Sequence, residues 1–482
     1  MTLSPANATS NDSWWSRPSG GRDVLRVAAP MVVSSLSWTI MTFVDRMFLN
    51  WVSPTLMAGA FSAGVSWFML ICLPLGVCSY ANTFVAQHDG ARQHEQIGRV
   101  VWQAIWISLG FTPIVLAAVP LAPWLFGLAD HTAGMYAAEV KYFQILCACA
   151  PAMLIAQAGA SFYSGRGQTW VVMIVDTAAA ALNLLLDYLW IFGYGGFPEW
   201  GLAGAAWATV VATWVKAAVY VALPLQARHR ARYGTLIGLR FDLRLMGRIL
   251  YYGGPSGLQM LLDVTGFTVF ILLIGRLGEV QSEATSIAFS ISSLAFMPIY
   301  GLHLAVSVLV GERLGENRDD LAARATYTTM QISWMYMLAI SLLYVLTPGL
   351  FLRGFFPDGV TGSAQQAAVY ALSAVLLRFV ATYNLLDATQ MVFVGAIKGA
   401  GDTQFVLWVS LALAAMLAGF SWLSVEVWRL SVIGCWTLVV LWCLVAAAAY
   451  AVRFWQGKWR YMRVIEHAGS DSPILLPAAA AE

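Results

Sequence analysis

Polar, glycine-marked and proline-marked breaks divide the chain into long apolar runs, and a run of about 20 residues is the length of helix that crosses a bilayer's hydrocarbon core. Twelve such runs can be read, over 24–49, 57–84, 95–124, 134–161, 169–193, 201–225, 246–275, 284–310, 320–346, 366–394, 403–425 and 428–455. Several exceed twenty residues, so tilted or kinked helices are expected. The pattern excludes a water-soluble fold, because no single aqueous core absorbs that much apolar surface. Composition agrees: 59% of the 482 residues are hydrophobic and 11% are charged, against about 45–50% and about 25% in soluble domains. The expected fold is an all-α integral membrane protein of twelve transmembrane helices with no room for a soluble domain. Its principal partner is the lipid bilayer, and the net charge of +2 gives no case for nucleic acid.

The basic residues inform by position. With the N-terminus inside, the cytoplasmic loops, tails and flanks hold twenty Lys and Arg, the opposite side holds five, and Lys216 and Arg378 fall within spans. Excess basic residues mark the cytoplasmic side, so both termini are expected there, in the plasma membrane. The first run is long enough to be a retained span rather than a cleaved leader. The most basic loop, 226–245, lies midway and reads as a linker between two six-helix lobes, 24–225 and 246–455, flanked by cytoplasmic tails 1–23 and 456–482. The lobes echo each other. Pro30 is matched by Pro255, and Pro74, Gly76 and Val85 to Gly90 by Pro298, Gly301 and Val310 to Gly315. Gly165-Arg166-Gly167-Gln168-Thr169 is matched by Gly399-Ala400-Gly401-Asp402-Thr403. An even number of spans per half relates the lobes by a pseudo-two-fold along the membrane normal, an arrangement that places a substrate cavity between them. The six cysteines all lie in apolar runs without metal or redox spacing and read as packing residues.

Five aspartates lie inside spans: Asp45, Asp176, Asp187, Asp263 and Asp387. Each costs about 2.5–3.5 kcal/mol near a helix centre, so each needs a reason to be there. Asp176, a turn and a half from its helix end, is read as neutralised by a nearby base or by the interface. Asp45 and Asp187 fall at similar depths, roughly 30 and 27 Å above the cytoplasmic ends of their helices. Asn183 precedes Asp187 by one turn on the same face, and Thr209 reaches the same level from the next helix. Two carboxylates, an amide and a hydroxyl make a hard oxygen-rich site suited to Na+ or to a shared proton. In the second half, Asp263 and Asp387 are expected as partners, with Asn384 one turn before Asp387. Pro30 and Pro255 remove backbone hydrogen bonds inside their spans and are candidate bending points.

Several of these residues fall in recognisable motifs. Val44-Asp45, Val85-Ala86-Gln87-His88-Asp89-Gly90-Ala91, Asn183 to Tyr188, Gly201 to Thr209, and Asp387-Ala-Thr-Gln390 followed by Gly395 to Thr403 together resemble the MATE (multidrug and toxic compound extrusion) family, closest to its NorM-like branch. The resemblance spans roughly 24 to 455. It implies two six-helix lobes around a central cavity and export of organic cations against inward H+ or Na+. It further implies that Asp45, Asn183, Asp187 and Thr209 form the N-lobe cation site, that Asp263 and Asp387 form the C-lobe acidic pair, and that Pro30 is the bending proline. Two positions depart from the pattern: Asp263 stands where a glutamate is usual, one methylene shorter, and Tyr188 where a proline often follows the aspartate.

The expected function is therefore a secondary active antiporter, acting as a monomer without a cofactor beyond its coupling ion, that exports amphipathic and often cationic compounds. A lipid or lipid-linked saccharide flippase is the alternative the architecture allows. It would need a cavity dominated by basic residues, and only Lys216 and Arg378 lie within spans. The chain has no HExxH, GxSxG or GxxxxGK[ST] motif, so neither an intramembrane enzyme nor an ATP-driven pump is expected.

Overall fold

The computed structural model describes residues 13–129, 131–356 and 364–466. The outermost parts of both tails, 1–12 and 467–482, lie outside the described residues. The helices are α1 (Gly21–Val52), α2 (Pro54–Ser79), α3 (Ala81–Gly90), α4 (His94–Leu116), α5 (Ala122–Gly127), α6 (Ala133–Cys147), α7 (Ala150–Ser164), α8 (Thr169–Phe192), α9 (Leu202–Ala222) and α10 (Ala227–Tyr233). After the linker come α11 (Leu243–Gly275), α12 (Glu279–Gly315), α13 (Asp319–Leu346), α14 (Pro348–Leu352), α15 (Ala364–Ala400), α16 (Thr403–Trp422) and α17 (Val432–Trp455). Eleven spans among the described residues are single helices long and apolar enough to cross a membrane, α2 and α3 counting as one, and the bent pair α6–α7 makes the twelfth. The expected continuous helix over 134–161 is thus broken. Its two parts meet at 43°, where the break at Ala148 and Cys149 is followed by Pro151 in the first turn of α7. Proline suits a first turn, where its missing N–H is not needed, but cannot continue a helix from before it. The second and eighth spans run on to Gly90 and Gly315, further than the hydropathy pattern suggested.

Each half packs as its own bundle. In the first, α1 lies against α8, α2 against α6, α4 against α7, and α9 against both α7 and α8. In the second, α12 and α13 lie against α15, α11 against α16, and α15 against α17. Both described ends lie on one side, here termed the tail side: Thr328 Oγ1 donates to the Ser19 carbonyl at 3.1 Å, and Arg460 pairs with Asp319 at 2.8 Å. The repeated motifs hold helix ends there. Arg166 stacks its guanidinium over Phe162 at 3.9 Å and Tyr233 at 4.3 Å, while Asp402 accepts from Arg453 Nε at 2.7 Å.

The lobes join through two crossings that mirror each other. Near Pro30, α1 crosses α12, and a Cβ on Gly301 would come within 2.8 Å of Val32 Cα. Near Pro255, α11 crosses α2 so closely that a Cβ on Gly257 would collide with the Leu73 carbonyl, and one on Gly76 with Gly257 Cα. The first helix of each lobe therefore packs, just beyond its proline, on the second helix of the other. Only glycine permits such backbone approach. The tail-side junction is closed by polar contacts. Buried Gln87 donates to the Gly399 carbonyl at 3.0 Å and accepts from Val464 N at 2.8 Å. Arg248 reaches the Val464 carbonyl and pairs with Glu466 at 3.0 Å.

Candidate functional site

In the first lobe, α1, α6, α8 and α9 bring Asp45, Tyr142, Asn183, Asp187 and Thr209 together in the interior. Asn183 and Asp187 are fully buried, and Asp45 and Thr209 are 8% and 9% exposed. Tyr142 Oη donates to Asp45 Oδ2 at 3.0 Å. With its amide oriented to satisfy both ends, Asn183 donates to Asp187 Oδ2 at 3.0 Å and accepts from Thr209 N at 3.2 Å. The two carboxylates and Tyr142 lie within electrostatic reach of one another. One oxygen of each carboxylate, Asp45 Oδ1 and Asp187 Oδ1, is buried without a hydrogen-bond partner among the described residues. A buried carboxylate oxygen without a donor is costly, and a proton or a small hard cation is the group whose chemistry fits two of them.

Tyr142 was not legible as a site residue, since nothing in its neighbourhood separates it from the chain's other 17 tyrosines, one of 18 in all. Glu139 is a further acidic residue inside the fourth apolar run. It is fully buried and held by His131 Nδ1 at 3.0 Å. Asp176 is structural, as expected: it pairs with Lys216 Nζ at 2.8 Å and accepts from Tyr220 Oη at 2.9 Å and from Ser34 Oγ. Its contacts also fix α1 to α8 and α9 one turn beyond Pro30.

The second lobe is built differently. Asp263, midway along α11, is exposed and Asp387 on α15 half-buried. Asp263 faces the junction, within electrostatic reach of Asp387 and Lys398 on α15 and of Cys72 on α2 of the other lobe. Gln259 Nε2 donates to Asp263 Oδ2 at 3.2 Å, and Lys398 Nζ donates to Gln259 Oε1 at 3.2 Å. Two expectations are corrected. Asn384 turns from Asp387 towards α13 and donates to Ser341 Oγ at 3.3 Å. Lys398, one of the twenty basic residues that the loop pattern assigns to the cytoplasmic loops, tails and flanks, lies in the last turn of α15 and points inward to Gln259. Its place three turns after Asp387 on one helix face was the available signal. Trp67, Phe289 and Trp436 fill cores rather than the junction: Trp67 is 4% exposed, and Phe289 stacks on Trp436 at 5.0 Å.

A two-lobed bundle of twelve spans with a buried carboxylate pair in one lobe and an accessible one in the other defines a polytopic membrane transporter class. The MatE family model matches residues 30–189 and 255–422, one segment in each lobe, and the chain belongs to that family. It is 28% identical over 455 residues to a probable multidrug resistance protein NorM of Pseudomonas putida, covering 92% of this chain and 96% of that one. It is 27% identical over 385 residues to the multidrug resistance protein NorM of Vibrio parahaemolyticus, covering 80% and 82%. Among solved structures, an outward-facing multidrug resistance MATE family transporter of the MOP superfamily superposes with a TM-score of 0.82 at 22% identity, over 91% of this chain and 96% of that one. The eukaryotic MATE transporter AtDTX14 gives 0.80 at 18% identity, over 91% and 96%.

Proposed function

We propose that the chain is a secondary active antiporter that exports amphipathic, often cationic compounds from the cytoplasm in exchange for inward H+ or Na+. It would act as a monomer in the plasma membrane with the tail side cytoplasmic. The observation that carries this reading is the pair of partnerless buried oxygens, Asp45 Oδ1 and Asp187 Oδ1, in a family whose named relatives are multidrug resistance proteins. The basic excess on the tail side supports the orientation.

The coupling ion cancels one of the two charges of Asp45 and Asp187, and this relieves the repulsion between α1 and α8 that two ionised groups impose. The response falls on Pro30, where α1 lacks a backbone bond and where Val27, Ala28 and Met31 pack against Ile299 and Leu302 of α12. Bending there shifts the inter-lobe crossing and presents the interior to the other side. Cargo cations meet Asp263 and Asp387 at the junction, and their export is favoured when the ion has bound. The flippase alternative asks for free basic groups in the interior. Lys216 is already paired with Asp176, and the inward-pointing Lys398 is linked through Gln259 to Asp263, so neither stands free for a phosphate, which argues against it.

The test is efflux of ethidium from proteoliposomes under an imposed pH gradient or, separately, an imposed Na+ gradient. Export driven by one of them names the ion. Absence of export under both, with several cations tried, contradicts the antiporter reading.

A further inference from the structure

We propose that Lys398 is a tethered counter-cation of the second lobe's acidic site, fixing its capacity at one positive charge and so selecting singly over doubly charged cargo. The inference rests on the export reading above and adds a specificity determinant to it.

The direction of the side chain is the first observation. Lys398 lies in the last turn of α15, where a lysine in a membrane protein ordinarily extends outward to the aqueous interface. Here it runs the other way and donates to Gln259 Oε1 at 3.2 Å. The opposite end of the same amide donates to Asp263 Oδ2 at 3.2 Å, so Gln259 is polarised between a cation and an anion. The second observation is that the lysine's backbone is held from the other lobe. Tyr80 Oη donates to the Lys398 carbonyl at 2.8 Å, and Gln87 Nε2 to the next carbonyl, Gly399, at 3.0 Å. The ammonium is thus anchored at its base and free to move only at its tip.

The groups around it are few. Gln259 and Asp263 face it from α11, and Asp387 lies three turns earlier on α15 itself. His303 on α12 is engaged elsewhere, donating Nδ1–H to the Met391 carbonyl at 2.8 Å. No carboxylate stands within ion-pair distance of Lys398 among the described residues. An ammonium held through an intervening amide compensates Asp263 without occupying it, and this leaves the accessible carboxylate open to a visitor. With both aspartates ionised and Lys398 present, the cluster carries one net negative charge. A monocation neutralises it, whereas a dication leaves an unpaired positive charge in a medium of low dielectric. Removing the ammonium raises the deficit to two and reverses the preference.

Ethidium and propidium share one phenanthridinium core but carry one and two positive charges. Their affinities are compared by fluorescence polarisation for purified wild type, Lys398→Arg, Lys398→Gln and the double variant Lys398→Gln/Asp387→Asn. The quantity read is the ratio of the two affinities, which does not depend on the folded fraction. The ratio should move about tenfold towards propidium in Lys398→Gln, stay at the wild-type value in Lys398→Arg, and return towards wild type in the double variant. A ratio within twofold of wild type in Lys398→Gln, or no return in the double variant, overturns the proposal. Wild-type protein that binds neither dye instead overturns the cargo reading beneath it, an outcome distinct from binding both dyes with an unmoved ratio.

Discussion

Tyr142 donates its hydroxyl to Asp45 Oδ2 at 3.0 Å, joining the fourth span to the first at the one carboxylate oxygen of Asp45 that has a partner. The bond steadies the ionised form of Asp45, and hydrogen bonds to charged groups contribute about 1.5–3 kcal/mol. Replacing Tyr142 with Phe should slow ion-coupled ethidium efflux from proteoliposomes about tenfold while leaving the protein folded. An unchanged rate would show that Tyr142 only packs.

Asp176 and Lys216 are expected to act on stability rather than on coupling. Either single change, Asp176→Asn or Lys216→Gln, leaves a partly buried charge without its partner, and such a break costs more than removing both. Each single variant should lower the melting temperature in detergent by several degrees, and the double variant Asp176→Asn/Lys216→Gln by less than the sum of the two. Additive losses would mean that the 2.8 Å pair is energetically idle.

Gly76 and Gly257 set the approach of α2 to α11. A side chain at either position must push the backbones apart, so Gly257→Leu should shift the α2–α11 crossing between the lobes and reduce efflux well below wild type, at least tenfold. Gly247, which has open space around its Cβ position, should tolerate alanine. Equal effects at 247 and 257 would remove the crossing from the account. Both are read by the same efflux assay with melting temperature as the control for folding.

His229 in the linker gives the chain a pH dependence. Burial against Phe162 and Tyr233 lowers its basicity below the ordinary value of 6.5, with Arg166 and Arg228 adding to the effect. Arg228 Nε donates to His229 Nε2 at 3.1 Å, which requires that nitrogen to be unprotonated. The folded state therefore resists a proton that the unfolded chain accepts. The contribution to stability is complete above about pH 6.5 and is lost as the pH falls towards the depressed folded value. Melting temperatures measured from pH 7.5 down to 5 should decline more steeply in wild type than in His229→Gln. Parallel curves would exclude the histidine.

The spans were legible because lipid imposes a length: about 20 apolar residues signal a helix whatever their order. The aspartates stood out for the complementary reason, that charge inside such a run is costly. Side-chain direction was not legible. Lys398 sits at a boundary where hydropathy says loop, yet its side chain turns inward. Asn384 shares a helix face with Asp387, yet its amide finds Ser341 on α13. The bend between α6 and α7 was hidden because Ala148, Cys149 and Pro151 do not interrupt an apolar run. Tyr142 belongs to the site through packing of α6 on α2 and α9, which brings its hydroxyl to Asp45, a tertiary relation that no local pattern encodes.

The central claim is that Asp45 and Asp187 couple ion entry to cargo release, and competition at equilibrium tests it most directly. Ethidium affinity of the purified protein would be measured across pH at fixed Na+, and across Na+ at fixed pH, for wild type, Asp45→Asn and Asp187→Asn. In wild type the affinity should fall as one of the two ions is raised, and in both variants the dependence on that ion should flatten while ethidium still binds. Variants that keep the full wild-type dependence would contradict the account and move the coupling site to Asp263 and Asp387.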